Sequence, residues 1–268
     1  MAIAYDSHSQ GNGTGSTVTV SHTMGASDGA ILAVGVVNNN ASDVVTGVTY
    51  GGVAMTKLHT TVGSAGFYLT TWYLNQPTTG VNDVVVSKSS GAEQTYVRAL
   101  SFTGGNITNA IYNASLGSGG ASETVSVTTT VDNSWCAMFA YDSNATPIAA
   151  STNSTLRGTV QANVFATFTQ TDAPKTPAGA VSMSYTPGGA GTVRTMFVID
   201  GPQNVTVSPT VINLGMSVQA PAITAGANVT TVVIGLSLSV QTPIVSAVYD
   251  PYSYTPKHSS TWTYQEKS

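Results

Sequence analysis

The chain reads as an all-β protein, a jelly-roll-like β-sandwich followed by a short C-terminal β-repeat segment. Three observations predict this. No long window repeats its apolar residues every 3.6 positions, as an amphipathic helix would. Short alternating runs of β-branched and aromatic residues recur instead, broken by Gly, Asn, Asp and Pro clusters. Only 7% of the residues are charged, against roughly 25% in an ordinary soluble domain. Ser, Thr, Asn, Gln and Gly therefore hold the polar positions.

Met1–Ser16 is polar and glycine-rich, and reads as a possible anchoring arm. Strands are expected over Ser16–His22, Ala30–Val37, Thr46–Tyr50, Ala54–His59, Phe67–Leu74 and Asp83–Ser87. They continue over Thr95–Phe102, Glu123–Thr129, Ser134–Tyr141, Thr159–Thr169, Ala180–Tyr185 and Thr192–Ile199. About a dozen short strands at this spacing fit a two-sheet sandwich over residues 1–201. The turns between them have identifiable causes. Gly29 supplies a positive φ before the apolar run ILAVGVV. Tyr50-Gly51-Gly52-Val53 reads as a glycine hairpin. Pro77, which cannot donate to a ladder, closes FYLTTWYL. That strand carries Tyr68 and Trp72 on one face and Phe67 and Tyr73 on the other, so it belongs inside a sheet rather than at its edge.

Composition shifts at Gly201-Pro202, and an internal repeat follows over residues 202–247. INLGMSVQAPAITA (Ile212–Ala225) aligns with IGLSLSVQTPIVSA (Ile234–Ala247), with seven of fourteen positions identical. The apolar residues alternate in both copies: Ile212, Leu214, Met216 and Val218, then Ile234, Leu236, Leu238 and Val240. Two such strands cannot bury their apolar faces alone. They are expected to pack on the sandwich or on neighbouring subunits. The tail, residues 248–268, is held extended by Pro251 and Pro256 and carries Tyr249, Tyr252, Tyr254, Trp262 and Tyr264. Five aromatics in 21 residues suit an arm that docks better than a disordered end. Tyr252, Tyr254, Trp262 and Tyr264 therefore join the eight repeat residues as the expected assembly interface.

The chemistry-bearing residues are sparse. The eight Lys and Arg are scattered, with no two adjacent, which excludes a phosphate-neutralising stripe and a polybasic membrane patch. No nucleic-acid partner and no membrane insertion are expected. The opening residues lack a basic run followed by an apolar one, so no signal peptide is expected either. Cys136 lies among apolar residues and reads as a buried, inert thiol. His8, His22, His59 and His258 stand far apart, no acidic loop has calcium spacing, and no GxSxG elbow occurs. No catalytic residue, metal or cofactor is expected, and the chain is read as non-enzymatic. Trp72, Tyr73, Tyr68, Tyr96 and Tyr112, with Asn38-Asn39-Asn40, are the residues that would stack on and hydrogen-bond a sugar; the alternative is that these aromatics fill the sandwich core, which Trp72 and Trp135 favour by lying in strongly apolar strands.

The phrases VTYGGVAMTKL, WYLNQPTTGVNDVVVS and VRALSFTGGN resemble a β-sandwich module that recurs in virion proteins of tailed phages and in some bacterial surface proteins. SVQAP and SVQTP are similar to short β repeats near the ends of phage structural proteins. The resemblance implies a jelly-roll-like virion component of the decoration, head-fibre or tail-appendage type. It transfers no catalytic residue. With the missing signal peptide, the leading expectation is synthesis in a host cytoplasm, residence in the virion, self-association as a homotrimer, and contact with major capsid or tail proteins. The alternative reading is a receptor- or carbohydrate-binding adhesin whose partner is a host surface glycan.

Overall fold

A computed structural model describes residues 3–201, apart from 26–28, 41, 64–65, 106–112, 115–122, 144–147, 162–164, 172–173 and 188–191. The two C-terminal repeats and the aromatic tail lie outside the described residues.

Among the described residues there are seventeen strands and no α-helix. They form not two sheets but four. The first nine strands are β1 (Ala4–Gly13), β2 (Thr17–Met24), β3 (Ile31–Asn39), β4 (Val45–Tyr50), β5 (Val53–Ala54), β6 (Thr56–Val62), β7 (Phe67–Asn75), β8 (Gly80–Lys88) and β9 (Thr95–Thr103). They make an inner sheet in the order β1-β9-β3-β7-β6 and an outer sheet in the order β2-β8-β4-β5. The next eight are β10 (Asn113–Ala114), β11 (Glu123–Thr128), β12 (Trp135–Asp142), β13 (Ala149–Ala150), β14 (Ser154–Gln161), β15 (Phe165–Gln170), β16 (Ala180–Thr186) and β17 (Thr192–Ile199). Their inner sheet runs β10-β17-β12-β15-β14 and their outer sheet β11-β16-β13.

The two orders are the same order. Replacing β1, β9, β3, β7 and β6 by β10, β17, β12, β15 and β14 converts one inner sheet into the other. The outer sheets correspond likewise, with β13 in the place of β4. Residue registers agree. Ala33 of β3 and Ala137 of β12 face the same way, paired with Leu100 and Phe197 respectively. Val20 pairs with Val84 in the first copy, and Val127 with Val181 in the second. Val84 and Val181, Thr95 and Thr192, and Leu100 and Phe197 all lie 97 residues apart. The region is thus two copies of one sandwich.

Burial follows from this layering. The outer strands alternate between buried and exposed, as in β2 and β11. The inner strands β3, β12 and β17 are buried on both faces, which is why ILAVGVV is a continuous apolar run. One core fills the first sandwich, with Leu32, Val34, Val36 and Trp72 meeting Val18, Val20, Tyr50 and Val84. A second fills the other sandwich, where Met138, Phe168 and Met196 meet Val125, Val181 and Tyr185. The third lies between the inner sheets: Ile31, Ala33, Leu69, Leu100 and Phe102 pack on Ala137, Phe139, Phe165, Phe197 and Ile199.

That third core has the reciprocity of an isologous dimer. Phe102 meets Trp135 edge-on at 5.9 Å. In the corresponding place, Ile199 and Ile31 both close on Gly105. Gly35 and Phe139, the same position of the two copies, meet each other.

The sequence expectations hold for most inner and outer strands, and β7 sits between β3 and β6, inside its sheet. Three segments differ. The run expected as one strand over Ala54–His59 crosses from β5 of the outer sheet to β6 of the inner one. The glycine-rich N-terminus is not an arm but strand β1, paired with β9 over its length. Gly11 lets it close on β2, since a Cβ there would lie 2.5 Å from Val20 Cγ2. The run expected as one strand over Thr159–Thr169 spans parts of two, β14 and β15.

Candidate functional site

All twelve residues expected at the assembly interface, from Ile212 to Tyr264, lie outside the described residues. The described region offers a surface, a recess and a part-buried polar cluster.

The surface is the outer face of each outer sheet. Alternation in β2 points Val18, Val20 and His22 inward and leaves Thr17, Thr19, Ser21 and Thr23 exposed. Strand β11 repeats this with Thr124, Ser126 and Thr128. On that second face the hydroxyls bond across the sheet, Thr124 to Ser184 and Ser126 to Ser182, each at 2.7 Å. Ion pairs contribute little here. Lys57–Asp43 is partly exposed and Arg194–Glu123 is buried. Surface charge being so thin, raising NaCl from about 20 to about 200 mM should move the thermal midpoint by less than about 2 °C. A scanning-calorimetry pair checks this; a shift of several degrees would reveal a charge cluster that the described surface lacks.

The recess lies on the outer face of the first sandwich. The turn Tyr50-Gly51-Gly52-Val53 forms as expected, with φ of 54° and 83° at its glycines, the left-handed pair that a two-residue hairpin requires. Beside it, Thr49, Gly51, Gly52, Val81, Asn82, Asp83 and Val85 line an open hollow of about 500 Å³. Val81 and Val53 are exposed at 68% and 48%.

The aromatics considered for sugar stacking do not share a platform. Trp72 is buried in the first sandwich, its Nε1–H donating to Thr70 Oγ1 at 3.0 Å. Tyr73 and Tyr96 pack instead on the core between the inner sheets. Tyr68 is half-buried, and Tyr112 is outside the described residues. Asn38 is buried and Asn40 donates to Glu93 Oε1 at 2.7 Å. The Cys136 thiol is pushed up to about 12, first by burial and then by Asp200, and is inert accordingly.

The polar cluster joins β1 to β2. Asp6 Oδ2 accepts from Gly25 N–H at 2.9 Å and from Ser101 Oγ at 2.8 Å. Ser7 Oγ donates to the Thr23 carbonyl at 2.6 Å and lies 3.5 Å from His22 Nε2. His22 Nδ1 is 3.0 Å from Ser9 Oγ. A serine, a histidine and a carboxylate are all present, but not in a triad's order. The ring nitrogen away from Ser7 faces a serine rather than Asp6, and the Ser7 proton is held by a carbonyl. The cluster ties two strands together. No local motif announces it, because Asp6 and Ser101 lie 95 positions apart.

No protein-family model matches this chain, and no curated protein or solved structure matches it either.

Proposed function

We propose that the chain is a non-enzymatic structural component of a phage virion exterior. It would be a capsid decoration, head fibre or tail appendage that assembles as a homotrimer through its C-terminal β repeats. The observation that carries this reading is the combination of a duplicated four-sheet body with outer faces on which hydroxyls outnumber charges, Asp83 of β8 being an exception. Such faces meet neutral neighbours with few ions to desolvate. The strand order supports a jelly roll in each copy. The chain crosses between the two facing sheets at β1–β4 and again at β7–β9, with β4-β5 and β6-β7 as pairs within one sheet, which is compatible with two Greek keys. That architecture is common among viral capsid domains.

Immunogold labelling of intact particles with an antibody to the sandwich region tests the location. Label on particle exteriors supports the reading, and label confined to host cell envelopes overturns it. Assembly is tested on the full chain by multi-angle light scattering. The wild type is expected to be trimeric. Leu214→Asp with Leu236→Asp, which places charge on the apolar face of both repeats, is expected to give monomer. A wild type that is already monomeric at about 50 μM, a concentration at which specific micromolar assemblies are populated, would remove the repeats from this role.

A further inference from the structure

The duplication makes it possible to ask what one copy has added to the fold. Asn38 of β3 and Asp142 of β12 occupy the same position, opposite Thr95 and Thr192 respectively. Lys88 of β8 corresponds to Tyr185 of β16, as Val84 does to Val181. The first sandwich therefore closes this end with an amide and an amine, where the second has a carboxyl group and a phenol.

Asn38 follows Val34 and Val36 on the face of β3 that fills the first core, and Lys88 follows Val84 and Val86 on the facing side of β8. Asn38 is fully buried, and neither its Oδ1 nor its Nδ2 has a hydrogen-bond partner among the described residues. An amide so placed has lost water and gained no bond in exchange. Lys88 is 6% exposed. Its Nζ donates to Thr95 Oγ1 at 2.8 Å and to the Glu93 carbonyl at 3.0 Å. Thr95 stands directly opposite Asn38 in the ladder, a separation of about 5 Å between Cβ atoms. The hydroxyl that holds the amine thus borders the unpartnered amide. Glu93 completes the cluster: Oε1 accepts from Asn40 at 2.7 Å and Ser90 at 3.0 Å, while Oε2 is buried without a partner. Two acceptors match the two hydrogens of a neutral amine, which keeps its lone pair. Burial moves Lys88 towards that form, lowering its pKa, and the Glu93 charge opposes the shift.

We propose that the first sandwich carries a self-formed amide cross-link between Lys88 Nζ and Asn38 Cγ, with Glu93 as the proton carrier. Lys88 passes a proton to Glu93 Oε2, and the neutral amine attacks Cγ. Glu93 gives the proton to Nδ2, the Cγ–Nδ2 bond breaks, and ammonia leaves. The surplus hydrogen on Nζ passes to Glu93, so atoms and charge balance, and the step needs neither oxidant nor reductant. It is a single event of the chain on itself. The new bond joins β3 to β8, interior strands of facing sheets that share no ladder. It closes the loop from residue 38 to residue 88 as a disulfide would, in a chain with one cysteine. In the second copy Tyr185 offers no amine, so that sandwich stays unlinked.

Intact mass spectrometry of the denatured full chain reads the bond directly. The wild type is expected to be lighter than its sequence by the mass of one ammonia. Trypsin should then release residues 1–57 joined to 58–98, with Lys88 uncleaved. Lys88→Met and Glu93→Gln should both return the full sequence mass, and the glutamine variant, which preserves side-chain size, guards against loss of folding in the methionine one. A wild type of full sequence mass overturns the cross-link. So does a loss that maps to an unbranched peptide, which is a succinimide formed at one asparagine. A Glu93→Gln protein that sheds ammonia as completely as the wild type removes Glu93 from the step.

Discussion

Gly35→Val is expected to destabilise the two-sandwich body by about 2–4 kcal/mol, the cost of forcing extra carbon into a filled core. The position is the centre of the layer between the inner sheets. A Cβ there would lie 2.7 Å from Phe139 Cγ and 2.8 Å from Cδ1. Phe139 cannot retreat. It is fully buried, stacked on Phe197 at 5.4 Å and tilted against Phe165 at 6.2 Å. Phe139→Leu alone should cost about 1–2 kcal/mol, by leaving part of the ring's volume empty. Because the two residues touch, the double variant should be more stable than the sum of the singles by about 1–3 kcal/mol. Urea unfolding followed by tryptophan fluorescence gives all four corners of this cycle. A Gly35→Val protein within about 0.5 kcal/mol of wild type, the level of an ordinary surface change, would mean that the inner sheets do not press together here.

The same pair shows what the sequence conveys and what it hides. ILAVGVV and FYLTTWYL were legible as strands, and FYLTTWYL as an interior one, because aromatic residues on both faces demand two covering layers. What supplies the second layer was not legible. It is another copy of the same sandwich, and the copies agree in burial pattern rather than in residues. Val97 and Arg194, Arg98 and Thr195, and Ser101 and Val198 all stand at matching positions. Conserved geometry with such unlike side chains leaves no repeat to detect by eye. The 22-residue repeat after Gly201 is conspicuous by contrast, because SVQ and its proline recur as letters.

Strand β1 escaped for a related reason. Its alternation is written in Ser, His and Gly, with the inward residues bonding to β2 rather than packing apolar surface. A reading based on hydrophobic period passes over it. Aromatics were ambiguous. Trp72 read as core and is core, but Tyr73 and Tyr96 fitted a sugar platform or a core equally, because sequence does not reveal which face of an inner sheet is covered, and here both are. The glycine hairpin at Tyr50–Val53 was readable because a positive φ at two successive positions has few other solutions.

The largest single-site electrostatic effect is expected at Glu123. Its carboxylate lies 2.8 Å from the Arg194 guanidinium, with side-chain exposures of 14% and 2%. Arg194 also sits 5.8 Å from the centre of the Tyr185 ring. Glu123→Ala should cost about 3–5 kcal/mol, since a guanidinium cannot shed its proton and would stay buried without its counter-charge. Replacing both partners, Arg194→Met with Glu123→Val, should recover most of that loss and could exceed wild type by about 1–4 kcal/mol. The first sandwich supplies the physical reason. Val97 stands where Arg194 does and is fully buried among apolar neighbours, so this position of the fold accepts an apolar side chain without an ion pair. Urea midpoints of the two single variants and the double one decide the matter. If Glu123→Ala falls within about 1 kcal/mol of wild type, as an exposed pair would, the guanidinium reaches water and the pair is a surface one. If the double variant is no better than the single, the ion pair contributes to the second sandwich something that apolar packing does not replace.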